Sequence, residues 1–362
     1  RDNAVALVRP LLPPETLDDC AEHWRAGLAH AAAHGLTSAQ TCDVRSRDWP
    51  TVLAALEKLE AEGDLPVRLT LQCAIDTRAR GRGCLWWGLC RRHTGGRRWK
   101  IGPLKLFLDG SLGARTAWLR RDYADAPGCR GLRCITLPAA MALASMADSA
   151  GMQVIAHAIG DAAMEEILAI LQALAVRRPQ DGPPNPLRHG VVHCQVTTPD
   201  QWDRLAALEA GALVQPIFLD YDHTIVTARC GPELAGTSYA FGDAVRRGIH
   251  VSYGTDAPVE SLDPLRNLYC AVTRRPLAGG DPWQPEQAVS RSQALACYTQ
   301  GSAWQEFAEQ EKGRLDPGYL ADFTVLDRDP LTVPVQEIPR LRVLATVVGG
   351  QFAYRAPGWG ES

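Results

Sequence analysis

The sequence lacks the run of about 20 apolar residues that crosses a bilayer as a helix. Its best candidate, Met152 to Ala158, breaks within ten residues, so no membrane partner is expected. The opening Arg1-Asp2-Asn3 is not a basic-then-apolar leader, which leaves a secretory route without support. No Cys-x-x-Cys pair occurs among the eleven cysteines, an odd number scattered from Cys20 to Cys297. That pattern reads as free thiols in a reducing cytoplasm rather than as a disulfide scaffold. Cys84 with Cys90, and Cys129 with Cys134, are too loosely spaced to mark a metal or a disulfide pair. Excess charge is also scarce: 38 Lys and Arg against 41 Asp and Glu leave a formal net charge of -3, which argues against a surface built for nucleic acid. No Ser or Cys stands in a nucleophile elbow, so serine or cysteine hydrolysis has no support.

Lysine is the scarcest charged residue. Only Lys58, Lys100, Lys105 and Lys312 interrupt a positive charge otherwise carried by arginine. Lys105 lies in the apolar stretch Ile101-Gly-Pro-Leu-Lys-Leu-Phe-Leu-Asp-Gly110. An arginine never deprotonates, whereas a desolvated lysine amine can lose its proton and become a nucleophile, including toward carbon dioxide. The competing reading is a strand lysine that reaches out to solvent.

What is present is an ordinary globular composition, 46% hydrophobic and 22% charged over 362 residues. At about 150 residues per domain that length suits two domains, or one large barrel with an appendage. Apolar strand-like runs alternate with helix-like stretches, the rhythm of βα units around a parallel sheet. Strands are expected near Leu36 to Thr41, Val67 to Ala74, Gly102 to Leu108, Gln153 to His157, Gly190 to His193, Ala212 to Phe218 and His250 to Gly254. Helices are expected at Glu15 to His34, Pro50 to Glu62, Leu137 to Ser149, Ala162 to Ala175 and Pro199 to Glu209, and beyond Asp263 at Pro285 to Cys297 and Ser302 to Gln310. Gly313 to Leu326 and Val343 to Tyr354 read as short strands. The expected fold is therefore an α/β (β/α)8 TIM-type barrel with seven of eight βα units visible, spanning 1–311, followed by a small β appendage at 312–362.

In such a barrel chemistry gathers at the C-terminal ends of the strands. His157 ends Met152-Gln-Val-Ile-Ala-His and His193 ends Arg188-His-Gly-Val-Val-His, so two imidazoles on successive strands face one mouth. Asp256 follows the last strand in Ser252-Tyr-Gly-Thr-Asp-Ala-Pro-Val-Glu260, where a carboxylate can bind a metal and take a proton from water. Its alternative role is a turn or helix cap, the role also expected of Asp43 and Asp220. Lys105, His157, His193 and Asp256 together make a candidate ligand set for a hydrolytic metal. The segment Arg78 to Lys100, with seven arginines and Trp86, Trp87 and Trp99, is expected to form a loop or lid beside that mouth rather than a nucleic-acid surface. Tyr221 to Ser238 is expected to be a loop.

Several phrases resemble the amidohydrolase superfamily, in particular its YtcJ-like branch, the amidohydrolase family 3 proteins that include N-substituted formamide deformylases. They are Lys105-Leu-Phe-Leu-Asp-Gly-Ser-Leu-Gly-Ala-Arg-Thr116, His157-Ala-Ile-Gly-Asp161, His193-Cys-Gln195, Gln215-Pro-Ile-Phe218, Asp256-Ala-Pro-Val-Glu-Ser261 and Gly318-Tyr-Leu-Ala-Asp-Phe323. The resemblance implies that the appendage at 312–362 is the C-terminal part of a small β-sandwich, and that the barrel is a metal-dependent hydrolase that cleaves an amide-like or cyclic amide C–N bond of a small-molecule substrate by metal-activated water. It implies one or two divalent ions, zinc foremost, with Lys105 a candidate for carbamylation, His157 and His193 as ligands, and Asp256 as ligand and general base. The family's His-x-His pair on strand one has no counterpart among the nine histidines, and Val192 stands where relatives usually carry a glutamate. The alternative is a truncated barrel that binds ligands, as a homo-oligomer, without turnover.

Overall fold

The computed structural model describes residues 15–45, 49–75, 95–179 and 181–360, with residues 8, 11 and 13 before them. Seven parallel strands lie in one sheet in chain order: β1 Ser38–Arg45, β2 Arg68–Ala74, β3 Trp99–Phe107, β4 Val154–Ala158, β5 Gly190–His193, β6 Gly211–Val214 and β7 Val251–Tyr253. The sheet curls into an open barrel whose edges, among the described residues, are β1 and β7. Relative to a complete eight-stranded barrel, one strand position between those edges is not filled by the described chain.

The helices between strands form because their apolar residues recur at helical spacing and bury one stripe against the sheet. In the helix Asp161–Ala175, Ala163, Met164, Ile167, Leu168, Ile170, Leu171 and Leu174 are all buried. The first helix, Leu17–Ala33, starts at a capping box: Asp19 N donates to Thr16 Oγ1 at 3.1 Å while the Asp19 carboxylate accepts from Thr16 N at 3.2 Å. Inside the barrel, Ile155, Val192 and Leu213 make a small apolar cluster separate from the main core. Below it the strand starts are plugged by polar contacts to the segment 302–312. Glu306 Oε2 accepts from Thr70 Oγ1 at 3.0 Å and from Lys312 Nζ at 2.6 Å, and Lys312 Nζ also donates to Ser38 Oγ at 2.6 Å. With that end sealed, the open mouth is the one that carries the strand C-termini.

A second, antiparallel sheet of order β10-β9-β8 comprises β8 Phe323–Leu326, β9 Val343–Val348 and β10 Gln351–Arg355. Gly349 and Gly350 turn β9 into β10 with φ of 62° and 75°, a hairpin geometry that glycine adopts without steric cost. The sheet docks on the end of the first helix, where Thr346 Oγ1 donates to Ala32 O and Thr324 Oγ1 to Gly35 O, each at 2.6 Å.

Five expectations differ from the structure. The helix expected over Ser302 to Gln310 covers only Ser302–Gln305. Strand β6 stops at Val214, and Pro216–Phe218 is a 3-10 turn instead of its continuation, because Pro216 has no N–H to extend the ladder. Pro285 to Cys297 is not one helix: a 3-10 turn at Pro285–Gln287 is separated from a helix Arg291–Ala296, which Ser290 starts afresh with its own capping box. Gly313 to Leu326 holds a strand only over Phe323–Leu326. Tyr221 to Ser238 is largely helical, with Val226–Ala235 kinked where Gly231 takes φ 75° before Pro232.

Candidate metal centre

Strand β3 presents Lys105 into the barrel opposite Ile155 of β4. The lysine is buried, and burial pushes its amine below the ordinary lysine range, with Cys42 and Asp256 pulling the other way. No hydrogen bond of that amine to another described side chain is seen; its near neighbour is the Phe107 ring, 5.5 Å from Nζ to centroid. A solvent-reaching lysine is thereby ruled out. A desolvated amine without a counter-donor has the chemistry the rarity of lysine pointed to: it loses its proton more readily than a free lysine.

His157 lies on β4 two residues beyond Ile155, so strand alternation aims both inward. Alternation from Val192, a member of the inner apolar cluster, would send His193 outward. Instead the backbone at His193 adopts φ 80°, a left-handed geometry that costs a non-glycine residue of order 1–3 kcal/mol. The turn brings the His193 ring edge-to-face with that of His157, centroids 4.4 Å apart. Such local strain is concentrated at sites of function.

Each imidazole has one nitrogen already spoken for. Gln215 Nε2 donates to Leu213 O at 3.2 Å, which fixes its amide so that Oε1 faces His193 Nδ1 at 2.8 Å. An amide oxygen only accepts, so Nδ1 carries the proton and His193 Nε2 keeps a lone pair. In the same way the Gly110 carbonyl, 2.9 Å from His157 Nε2, places a proton there, so the neutral form of the ring has its lone pair on Nδ1. Burial holds His193 well below its ordinary pKa, and His157 and Lys105 push it further down. The donor set fits a divalent cation: two imidazoles, each oriented by an acceptor on its far nitrogen, beside a desolvated amine. Among the described residues no three His, Cys, Asp or Glu side chains are grouped to hold a metal by themselves, so Asp256 does not complete a three-ligand set with the two histidines.

Asp256 stands in a turn just after β7, itself with φ 55°. Burial raises its carboxyl pKa, opposed by the nearby charges of Lys105 and His157. It caps no helix; the cap of the following helix, Pro264–Thr273, is Asp263. Nor are Asp43 and Asp220 caps. Asp43 lies inside β1, and Asp220 Oδ1 accepts from Leu277 N at 2.5 Å, tying the β6 loop to a distant turn. Cys129 and Cys134 are not joined in a disulfide, while Cys84, Cys90, Trp86 and Trp87 lie outside the described residues. Trp99 is buried at the start of β3 and belongs to the core.

Three residues near the centre escaped the sequence reading. Gln215 was visible only as part of a phrase, yet it sets the His193 tautomer. Cys42 on β1 lies close enough to Lys105 for the amine to oppose the burial that raises its thiol pKa. Asp109, fully enclosed, receives three backbone N–H groups and touches His157. Neither the 63-residue gap between Cys42 and Lys105 nor the β1 bulge at Cys42 announces such neighbours in one dimension.

Residues 1–354 match the model of the amidohydrolase family. The chain is 30% identical over 357 residues to the putative amidohydrolase YtcJ of Bacillus subtilis, a match covering 98% of this chain and 65% of that protein. It is 28% identical over 217 residues to the N-substituted formamide deformylase of Arthrobacter pascens, covering 60% of this chain and 39% of the relative. Among solved structures, a metal-dependent hydrolase of Pyrococcus furiosus superposes with a TM-score of 0.77 at 27% identity, covering 91% of this chain and 64% of that one. A metal-dependent hydrolase of Pyrococcus horikoshii gives 0.75 at 28%, covering 88% and 62%. The chain thus spans less than two thirds of the length of each of these relatives.

Proposed function

Because this chain belongs to the amidohydrolase family, we propose that it supplies the catalytic barrel of a metal-dependent hydrolase that cleaves a C–N bond in an amide-like or cyclic amide substrate of small size. The observation that carries this reading is the meeting of His157 and His193, 4.4 Å apart, each with one nitrogen tied to an acceptor, beside the buried Lys105. His157, His193, Lys105 and Asp256 would hold the ion, with zinc the first candidate. When bound, a divalent cation there supplies Lewis acidity toward a carbonyl oxygen and lowers the pKa of a water.

The chain's own residues do the rest. Carbon dioxide adds to the uncharged amine of Lys105 with loss of one proton, which turns one nitrogen donor into a carbamate with two oxygens. Asp256 accepts the proton of the attacking water and delivers it to the leaving nitrogen; a carboxyl whose pKa burial has raised is suited to both halves of that transfer. Phe107 and Phe218, the latter stacked on His193 at 6.0 Å, restrict water around the imidazoles. Residues 76–94, most of the segment Arg78 to Lys100 expected as a loop or lid, lie outside the described residues.

The test is amine release from a panel of N-acyl and cyclic amides by metal-loaded and chelator-treated protein. Turnover that depends on metal and falls at least about 100-fold in Asp256→Asn supports the reading; turnover that survives chelation overturns it. One observation favours a second reading, ligand binding without turnover: among the described residues the sheet is open between β1 and β7, and a bare strand edge invites a second chain. Light scattering of metal-loaded protein separates the two, since a stable monomer contradicts the second.

A further inference from the structure

The junction between β3 and β4 is built around one carboxylate that the proposed reaction has not used. Asp109 is 2% exposed and sits two residues past the end of β3. Its Oδ2 accepts from Trp118 N and from Gly160 N, both at 2.8 Å, and its Oδ1 accepts from Ile159 N at 3.1 Å. Oδ1 also lies 3.2 Å from His157 Nε2. Three backbone donors would satisfy a structural aspartate; the fourth contact, to the imidazole, is not needed for that purpose.

The surroundings leave Asp109 little freedom. A Cβ on Gly160 would stand 2.0 Å from Trp118 O, and one on Gly110 would stand 2.2 Å from Thr116 Oγ1. Both glycines are therefore required for the loop 109–118 to close over the start of the helix Asp161–Ala175. Ala162 N donates to Trp118 O at 3.1 Å, and Asp161 Oδ1 accepts from Arg120 N at 3.0 Å. The loop and the helix start are thus stitched together by the Asp109 carboxylate, by the Asp161 carboxylate and by the Ala162 to Trp118 backbone bond. Only the Asp109 stitch reaches the imidazole.

We propose that Asp109 is a positioning residue for His157: its carboxylate and the Gly110 carbonyl share the proton on Nε2, lock the ring orientation, and keep Nδ1 turned toward Lys105 and His193 as a metal-ready lone pair. An imidazole whose far N–H meets a carboxylate is a stronger donor than one facing water, and removing such a partner typically weakens metal binding about 10–100-fold. The inference rests on the metal reading for its purpose, but its first readout needs no metal.

The experiment labels the histidines with nitrogen-15 and reads the ring nitrogens of His157 in metal-free protein at a pH where imidazole is neutral, then measures zinc affinity by competition. Wild-type protein is expected to show one tautomer, with the proton on Nε2. Asp109→Asn, which leaves the Gly110 carbonyl as the remaining fixed acceptor at Nε2, is expected to raise the Nδ1-protonated share above the wild-type value and to weaken zinc binding about 10–100-fold. Asp161→Ala, which loosens the same junction without touching His157, is expected to leave the tautomer and the affinity as in wild type. A wild-type ring protonated on Nδ1, or an Asp109→Asn protein with unchanged tautomer and affinity, overturns the proposal, as does an Asp161→Ala protein that loses both. If the asparagine form does not fold, Asp109→Glu decides by the same two readings: the longer arm is expected to displace the oxygen and weaken zinc binding, and wild-type values overturn the proposal. Wild-type protein with the expected tautomer but no zinc binding defeats the proposed function while leaving the positioning of His157 intact.

Discussion

Gln215 Oε1 faces His193 Nδ1 at 2.8 Å, and the other end of the same amide is held by Leu213 O. The pair spans 22 residues and joins the end of β5 to the end of β6, so one side chain fixes which nitrogen of the imidazole faces the barrel mouth. Replacing Gln215 with leucine keeps the volume and removes the acceptor. Zinc affinity is expected to drop about 10–100-fold with the circular dichroism spectrum unchanged. Unaltered affinity in a folded Gln215→Leu protein would show that the histidine needs no such partner.

Arg68 and Asp322 join the start of β2 to the small sheet across 254 residues, with Nε 2.6 Å from Oδ2 and the aspartate side chain 4% exposed. Asp322 Oδ1 also accepts from Gly349 N at 2.6 Å. Asp322→Ala strands a largely enclosed guanidinium and a backbone donor, a loss of about 3 kcal/mol. Urea unfolding measures it; a change below about 0.5 kcal/mol, the usual size for an exposed pair, would mean that the two sheets do not depend on this link.

Gly160→Ala places a methyl where Trp118 O already stands, 2.0 Å away. Because the neighbour is backbone, the loop must move as a unit, and destabilisation of about 1–3 kcal/mol is expected. Calorimetry reads the shift, and an alanine variant as stable as wild type would contradict the close approach.

His189 and His193 are both buried, and burial lowers both pKa values, Asp148 partly opposing this at His189. In the unfolded chain each titrates near 6.5. Below that pH the unfolded state takes up protons that the folded state refuses, so folding stability is present above pH 6.5 and falls as the pH drops through it. The slope is at most about 1.4 kcal/mol per pH unit for each histidine. Metal-free protein unfolded in urea at pH 7.5 and 6.0 should lose stability at the lower value, and His189→Gln should lose less. No pH dependence in wild type would place those imidazoles in water.

Much of this architecture was legible because it repeats. Helices such as Leu137–Ser149 and strands such as Gly190–His193 fall where the apolar spacing put them, since burial on one face is a local property of sequence. Lys105 stood out through the rarity of its residue type, and His157 and His193 through their place at strand ends. Gln215 and Asp109 did not stand out, because their role depends on which backbone groups the fold brings to them. The left-handed backbone of His193 was equally hidden: nothing in Val-Val-His-Cys requires it, and tertiary context imposes it. The misread aspartates share that cause, for a carboxylate near a strand end looks like a cap until a partner such as Leu277 N arrives from elsewhere.

The central claim is that Lys105, His157 and His193 converge on a single cation. Equilibrium dialysis of the folded chain against zinc, followed by an elemental count of bound metal, tests it most directly. Stoichiometric zinc in wild type, lost in both His157→Ala and His193→Ala while each variant stays folded, is the expected result. Folded wild-type protein that emerges free of metal, or variants that retain it in full, would contradict the account.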